Sequence, residues 1–356
     1  MPFKIRESMI LAIFLVASAP VHSFAQRLAS PDVNKVQSNQ LSVENGLAAY
    51  NSGNYPLAFT LFQRLSEKGD PDAQYTLALM YSLGLGMPVD LTEAFFLNRK
   101  AAESGHVGAQ TNLGVMYSRG SGIAKDKVAA IFWLEKAAAQ GDSIAQLNLG
   151  LVHCEGEGTP KNYLACVFWL QKSAAQDNSV AQYGLGVMNH NGEGLPKDAT
   201  AAAYWFRKSA ELGYRDAQFK LGLYYSTGRG VAKDETVATS WFKKAAEQGH
   251  IEAQYFLGAR YDSGIGVAKD YSASFFWHLK AAEGGHSESQ LAVGLRLAAG
   301  DSVPKDLVQG FMWLYLSAAN GNEGALRTID VFAPLLPASQ INEAKKRASD
   351  WTAAAY

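Results

Sequence analysis

Neither an H-E-x-x-H nor a C-x-x-C occurs in this sequence, and its 356 residues hold only two cysteines, Cys154 and Cys166. A zinc framework and a disulfide-dense scaffold are both excluded, and no metal or cofactor is expected. An excess of either charge is missing as well. Lys plus Arg number 32 against 33 Asp plus Glu, a formal net charge of -1, so there is no basic footprint for nucleic acid and no strong acidic field. Long hydrophobic runs are absent too: the stretch from Met9 to Ala17 is too short to span a bilayer. Glycine pairs abound, but each G-x-G lies between two helical segments, whereas a dinucleotide fingerprint follows a strand and needs a third glycine. Ser240-Trp241-Phe242-Lys243 spells S-x-x-K without an accompanying S-D-N or K-T-G. Ser240 stands in the column held elsewhere by Phe132 and Phe168 and reads as a core variant.

What the sequence does contain is a ruler. Gln74, Gln110, Gln146, Gln182, Gln218, Gln254 and Gln290 follow one another at intervals of 36 with no insertion or deletion. A strict period of this length predicts a solenoid in which each repeat buries one face against its neighbours. Four residues after each Gln comes Ala78, Gly114, Gly150, Gly186, Gly222, Gly258 or Gly294. A helical glycine costs about 1 kcal/mol relative to Ala, so its recurrence implies close approach of a second helix. Paired glycines such as Gly120 and Gly122 then end this first helix, and an Asp or Asn sixteen after the Gln caps the next. That second helix carries a bulky pair, Phe132-Trp133, Phe168-Trp169, Tyr204-Trp205, Phe276-Trp277 or Met312-Trp313, followed by small pairs such as Ala137-Ala138. Large and small residues at this spacing are expected to interlock in the core.

The motif A-Q-x-x-L-G-x-x-Y, then G-x-G, K-D, A-x-x-W and K-A-A-x-x-G, as in Ala109-Gln110 through Gly141, resembles the Sel-one-like repeat (SLR) family. These are relatives of tetratricopeptide repeats with a slightly longer unit. The resemblance spans about Asp70 to Gly321 and implies an all-α superhelical solenoid of helix-turn-helix repeats, here an exported bacterial member.

The chain divides accordingly. Residues 1–25 read as a signal peptide, with Lys4 and Arg6 before the apolar run and Ser23-Phe24-Ala25 as the processing site, giving a mature chain that begins at Gln26. Residues 26–43 form a polar, mobile N-terminal segment, and residues 44–69 a capping partial repeat. Seven full repeats occupy 70–321, and C-terminal capping helices occupy 322–356.

Two sets of residues stand out from the repeat itself. The column seven after the Gln holds Tyr81, Tyr117, Tyr225 and Tyr261 but breaks to His153 and Asn189 in adjacent central repeats, where the next column brings Cys154 and His190. His153, Cys154, Asn189 and His190 are thus a candidate central polar site, set against drift of a packing column. Cys154 and Cys166 lie on partner helices of one repeat. They are a candidate disulfide in an exported protein, with a small buried thiol as the alternative for Cys166. His106, His250 and His286 share a column with Asp70 and Asp142 and are read as helix caps.

The resemblance implies non-enzymatic binding of a partner protein or peptide. In tetratricopeptide-like arrays the first helices line the concave side, so positions two and six after the Gln would read the partner. Here these are Asn112, Asn148, Lys220, Met116, Tyr224, Arg260 and Arg296, with Asn suited to clamp a backbone and Arg to take a carboxylate. Rival readings are a secreted enzyme of the cysteine-rich SLR branch linked with penicillin binding or β-lactam hydrolysis, whose cysteine pattern this chain lacks, and a factor that meets a host protein.

Overall fold

The 36-residue period consists of two helices of almost equal length. A computed structural model describes residues 41–156 and 158–354, and among them eighteen α-helices and no strand. The expected signal peptide 1–25 and nearly all of the 26–43 segment lie outside the described residues. The chain divides into two compact units between Asp198 and Ala199.

In the first unit the helices are α1 Val43–Asn51, α2 Tyr55–Glu67, α3 Pro71–Leu83, α4 Leu91–Glu103, α5 Val107–Arg119, α6 Lys127–Ala139, α7 Ser143–Glu155, α8 Tyr163–Ala174 and α9 Ser179–Asn191. The second holds α10 Ala199–Glu211, α11 Arg215–Thr227, α12 Glu235–Glu247, α13 Ile251–Ser263, α14 Tyr271–Glu283, α15 Ser287–Ala299, α16 Leu307–Ala319, α17 Glu323–Phe332 and α18 Ala338–Ala354. Within each unit a helix packs mainly on its neighbours in sequence, as an array of nearest-neighbour repeats requires. At the end of the chain α18 departs from this order by packing on α16.

Local chemistry sets the boundaries. Asp126 caps α6 by accepting from the backbone N–H groups of Val128 and Ala129 at 3.0 Å, and Asp126 in turn donates its own N–H to the Tyr117 carbonyl at 3.0 Å. Gly120 ends α5 in the left-handed region. Gly122 is glycine for a second reason, because a Cβ there would run into the Leu91 carbonyl of the preceding repeat. Asp177, where the other second helices close on glycine, adopts φ +56° itself, a conformation short polar side chains tolerate.

The buried Gln column is a polar staple between repeats. Gln110, Gln146, Gln182, Gln218, Gln254 and Gln290 each donate through Nε2 to the carbonyl eight residues back, at 3.1–3.2 Å. On the other side, Oε1 of Gln110, Gln146, Gln218 and Gln290 accepts from the amide of Gln140, Gln176, Gln248 and Asn320 at 2.7–3.0 Å. Those four buried amides are thereby paired in both directions, as a core position favours, whereas Gln182 Oε1 is buried without a partner.

The helical glycines meet a large side chain as expected, but its position is corrected. A Cβ on Gly114 would lie 2.7 Å from Leu134 Cγ, and one on Gly222 2.8 Å from the Phe242 ring. The interlocking residue is therefore the one after the Trp: Leu134, Leu170, Phe206 and Phe242 are essentially inaccessible. Trp133, Trp169, Trp205 and Trp277 are only half-buried, and Phe132, Phe168, Tyr204 and Phe276 are 49–52 % exposed. At 3.6 residues per turn, consecutive positions point about 100° apart, so in these repeats the Phe or Tyr turns outward, the Trp lies at the edge and the residue after it faces the core.

Candidate functional site

Of the seven first-helix residues expected to read a partner, Met116, Asn148, Tyr224 and Arg260 are buried. Asn148 Nδ2 donates to the Ile144 carbonyl of its own helix at 2.9 Å, and Met116 packs under Asn98. Tyr224 stands edge-on to Phe206 at 5.3 Å. Arg260 pairs with Glu235 at 2.9 Å, donates to Ser226 Oγ at 2.8 Å and to Thr239 Oγ1 at 3.0 Å, and lies over the Phe242 ring. Arg296 repeats that geometry one repeat later, reaching Asp262 and the Tyr271 carbonyl. These arginines tie successive repeats together rather than projecting from them, because the column six after the Gln points at the preceding repeat. Asn112 and Lys220 keep partial exposure, and burial lowers the Lys220 ammonium to about 8 against the opposing pull of Asp216.

Within the central set, Cys154 is joined to Cys166 by a disulfide, which removes its thiol from any ligand role. Asn189 Nδ2 donates to the Leu185 carbonyl of its own helix at 2.9 Å. His153 and Asn189 still offer their carbonyls to the Asn162 and Asp198 N–H groups, as Tyr117 does for Asp126. The backbone at this column thus serves the next helix cap whichever side chain stands there. Among the described residues no group of three or more His, Cys, Asp or Glu is placed to hold a metal ion.

The histidine caps form as expected. Nδ1 of His106, His250 and His286 accepts from the backbone N–H three residues on at 3.0–3.2 Å. Each stacks on an aromatic of the preceding first helix: Tyr75, Phe219 and Tyr255, at 4.3–4.5 Å. Burial lowers the pKa of His106 and His250, opposed by Asp72 and Asp216.

One constellation had no motif to announce it. His278 stands where Leu134 and Phe242 stand in other repeats, with Nε2 3.5 Å from Asp262 and Nδ1 3.3 Å from Ser289 Oγ. The composition is that of an acyl-transfer triad, but Ser289 is fully buried and His278 is 3 % exposed, so no carbonyl can approach the hydroxyl. Burial lowers the His278 pKa to about 4 although Asp262 pulls the other way, and the neutral imidazole serves as packing with hydrogen-bonding ends. Ser240 is likewise no nucleophile: it is exposed rather than core, and its Oγ donates to the Val237 carbonyl at 2.8 Å.

Inward polar groups that bond repeat to repeat, and apolar rings turned outward at a fixed interval, define an all-α helical-repeat solenoid. The chain belongs to the Sel1 repeat family: the family profile matches residues 39–70, 71–106, 107–142, 143–178, 179–214, 215–250, 251–286 and 287–322. It counts the opening helix pair as a repeat of its own. Proteins of this family generally mediate protein–protein interaction and are generally non-enzymatic. The chain is similar to a protective antigen of uropathogenic Escherichia coli strains that displays an SLR fold, at 32 % identity over 93 % of this chain and 70 % of the other, with a TM-score of 0.71. It is also similar to a Sel1 repeat protein from Oxalobacter formigenes, at 29 % identity over 88 % and 93 % of the two chains, with a TM-score of 0.65. The search of curated proteins found no match. No helix among the described residues is long and apolar enough to cross a membrane.

Proposed function

We propose that this chain is an exported, non-enzymatic scaffold that binds a partner protein, and that it does so through its second helices more than its first. The observation that carries this is the recurrence of Phe96, Phe132, Phe168, Tyr204 and Phe276 at one position of the repeat, each about half exposed. An apolar side chain left in water at a fixed interval is a surface built for contact. Export is supported by the basic start, short apolar run and small-residue site at the N-terminus, and by a disulfide that an oxidising compartment would maintain. A partner on the host side is favoured by the likeness to a protective antigen.

The test is affinity purification of the mature protein from its own cell envelope, with mass spectrometry of what co-elutes and of the bait's N-terminus. We expect a protein retained in fixed proportion to the bait and a chain beginning at Gln26. A bait that elutes alone overturns the scaffold, and a mature chain still carrying Met9 to Ala17 overturns the cleavage.

A further inference from the structure

In the first unit the outward faces of α4, α6 and α8 carry the same two side chains: Phe96 and Lys100, Phe132 and Lys136, Phe168 and Lys172. Residues four apart share one helix face, so each ring lies beside its lysine. One turn earlier the stripe is extended by Val128, 72 % exposed, and by Leu164, 74 % exposed. The Lys136 and Lys172 ammonium groups lie 4.7 and 5.6 Å from the centroids of the Phe132 and Phe168 rings. None of the three lysines pairs with a carboxylate of the described residues.

The fold already contains one instance of this face covered. In the last full repeat the two positions are Met312 and Leu316, and both are buried. A first helix follows α16 as it does every other second helix, so the additional cover comes from α18. Its Ala348 packs with Met312, Trp313 and Leu316, and Trp351 stands edge-on to Trp313 at 5.1 Å. Where the face is apolar it takes the apolar side of a helix from within the chain. Where a lysine replaces Leu316, the complementary helix needs carboxylates beside its apolar stripe. The terminal helix of a second copy does not supply them, because its apolar side, Ala344, Ala348 and Trp351, is already seated within its own chain and three successive residues beside it, Lys345, Lys346 and Arg347, are basic. A strand fits poorly, since the backbone groups of α4, α6 and α8 are engaged within their own helices and offer no edge.

We infer that the face made by Val128, Phe132 and Lys136 with Leu164, Phe168 and Lys172 docks an amphipathic helix of a partner protein whose apolar stripe is flanked by Asp or Glu. This rests on the scaffold reading above and specifies the partner's chemistry.

The test uses the full mature chain and a fluorescein-labelled 17-residue peptide of the α18 sequence carrying Lys345→Glu, Lys346→Glu and Arg347→Glu. The unaltered peptide is the control. The acidic peptide should bind saturably and at least about tenfold more tightly than the control, and that preference should shrink as salt is raised. Phe132→Ala with Phe168→Ala should weaken it about tenfold or more, and Lys136→Glu with Lys172→Glu should reverse the preference between the two peptides. All four positions are exposed, and circular dichroism with thermal melting verifies that the variants fold. Equal binding of both peptides, no binding of either, or indifference to both double variants overturns the inference. So does a dimer that Phe132→Ala with Phe168→Ala converts to monomer, which would make a second copy the occupant. Lysine-dependent binding to vesicles of anionic phospholipid without peptide binding overturns it too, in favour of a membrane surface. Retention of the envelope partner by both double variants would preserve the scaffold and remove only this face.

Discussion

Gln146 offers the sharpest test of what holds one repeat to the next. Its side chain is 5 % exposed, donates to the Ala138 carbonyl at 3.2 Å and accepts from Gln176 Nε2 at 2.9 Å. Gln146→Met keeps the unbranched shape and removes both bonds. Neither former partner is left without another bond: Ala138 O still accepts from Gly141 N at 3.1 Å, and Gln176 Nε2 still donates to Gly141 O at 2.8 Å. The expected loss is therefore two net hydrogen bonds at about 1 kcal/mol each, about 2 kcal/mol in all, rather than the larger cost of two orphaned groups. Because repeat arrays can unfold piecewise, native-state hydrogen exchange of the α6 and α7 amides is the appropriate assay beside urea unfolding. A cycle with Gln176→Ala isolates the amide–amide bond, with an expected coupling of about 1 kcal/mol. If Gln146→Met stays within about 0.5 kcal/mol of the parent and the coupling is below about 0.3 kcal/mol, the Gln column is not a staple and its period has another cause.

Phe242→Ala should cost about 3–5 kcal/mol because the ring is fully buried, while Trp169→Ala, only half-buried, should cost clearly less. Chemical unfolding of the pair distinguishes them, and equal costs would contradict the packing described. Arg260→Ala should destabilise by about 2 kcal/mol, since it removes the bonds of a buried guanidinium to Ser226, Thr239 and Glu235, while Glu235 keeps Lys233. Thermal melts would read the change, and a neutral result would return Arg260 to the surface. His278 is held at about 4, below the ordinary 6.5, so the unfolded chain takes up this proton first and stability falls as pH drops from about 6.5 toward 4. The full shift corresponds to about 3 kcal/mol, and His278→Leu, the residue at this position in α6 and α8, should remove that part of the slope in urea titrations run across the window. An unchanged slope would mean that His278 is not the titrating group.

The architecture was legible because its causes are local. A period of 36, a glycine four after each Gln, paired glycines and an Asp or Asn cap are short-range instructions, and the helices begin and end where those residues say they must. The histidine caps and the Cys154–Cys166 pair were legible for the same reason, since each joins groups of one repeat or of adjoining turns. Which columns stay exposed was not. Residue type marks Arg260 as soluble and Phe132 as insoluble, yet Arg260 is buried and Phe132 is half in water. Which way a column points depends on what the neighbouring repeat places opposite it: Glu235 and Ser226 meet Arg260, whereas Phe132 stays open for want of the helix that covers Met312. Periodicity therefore determined the elements and their order by itself, while burial and exposure were decided only in the tertiary structure, because they are properties of pairs of helices rather than of either helix alone.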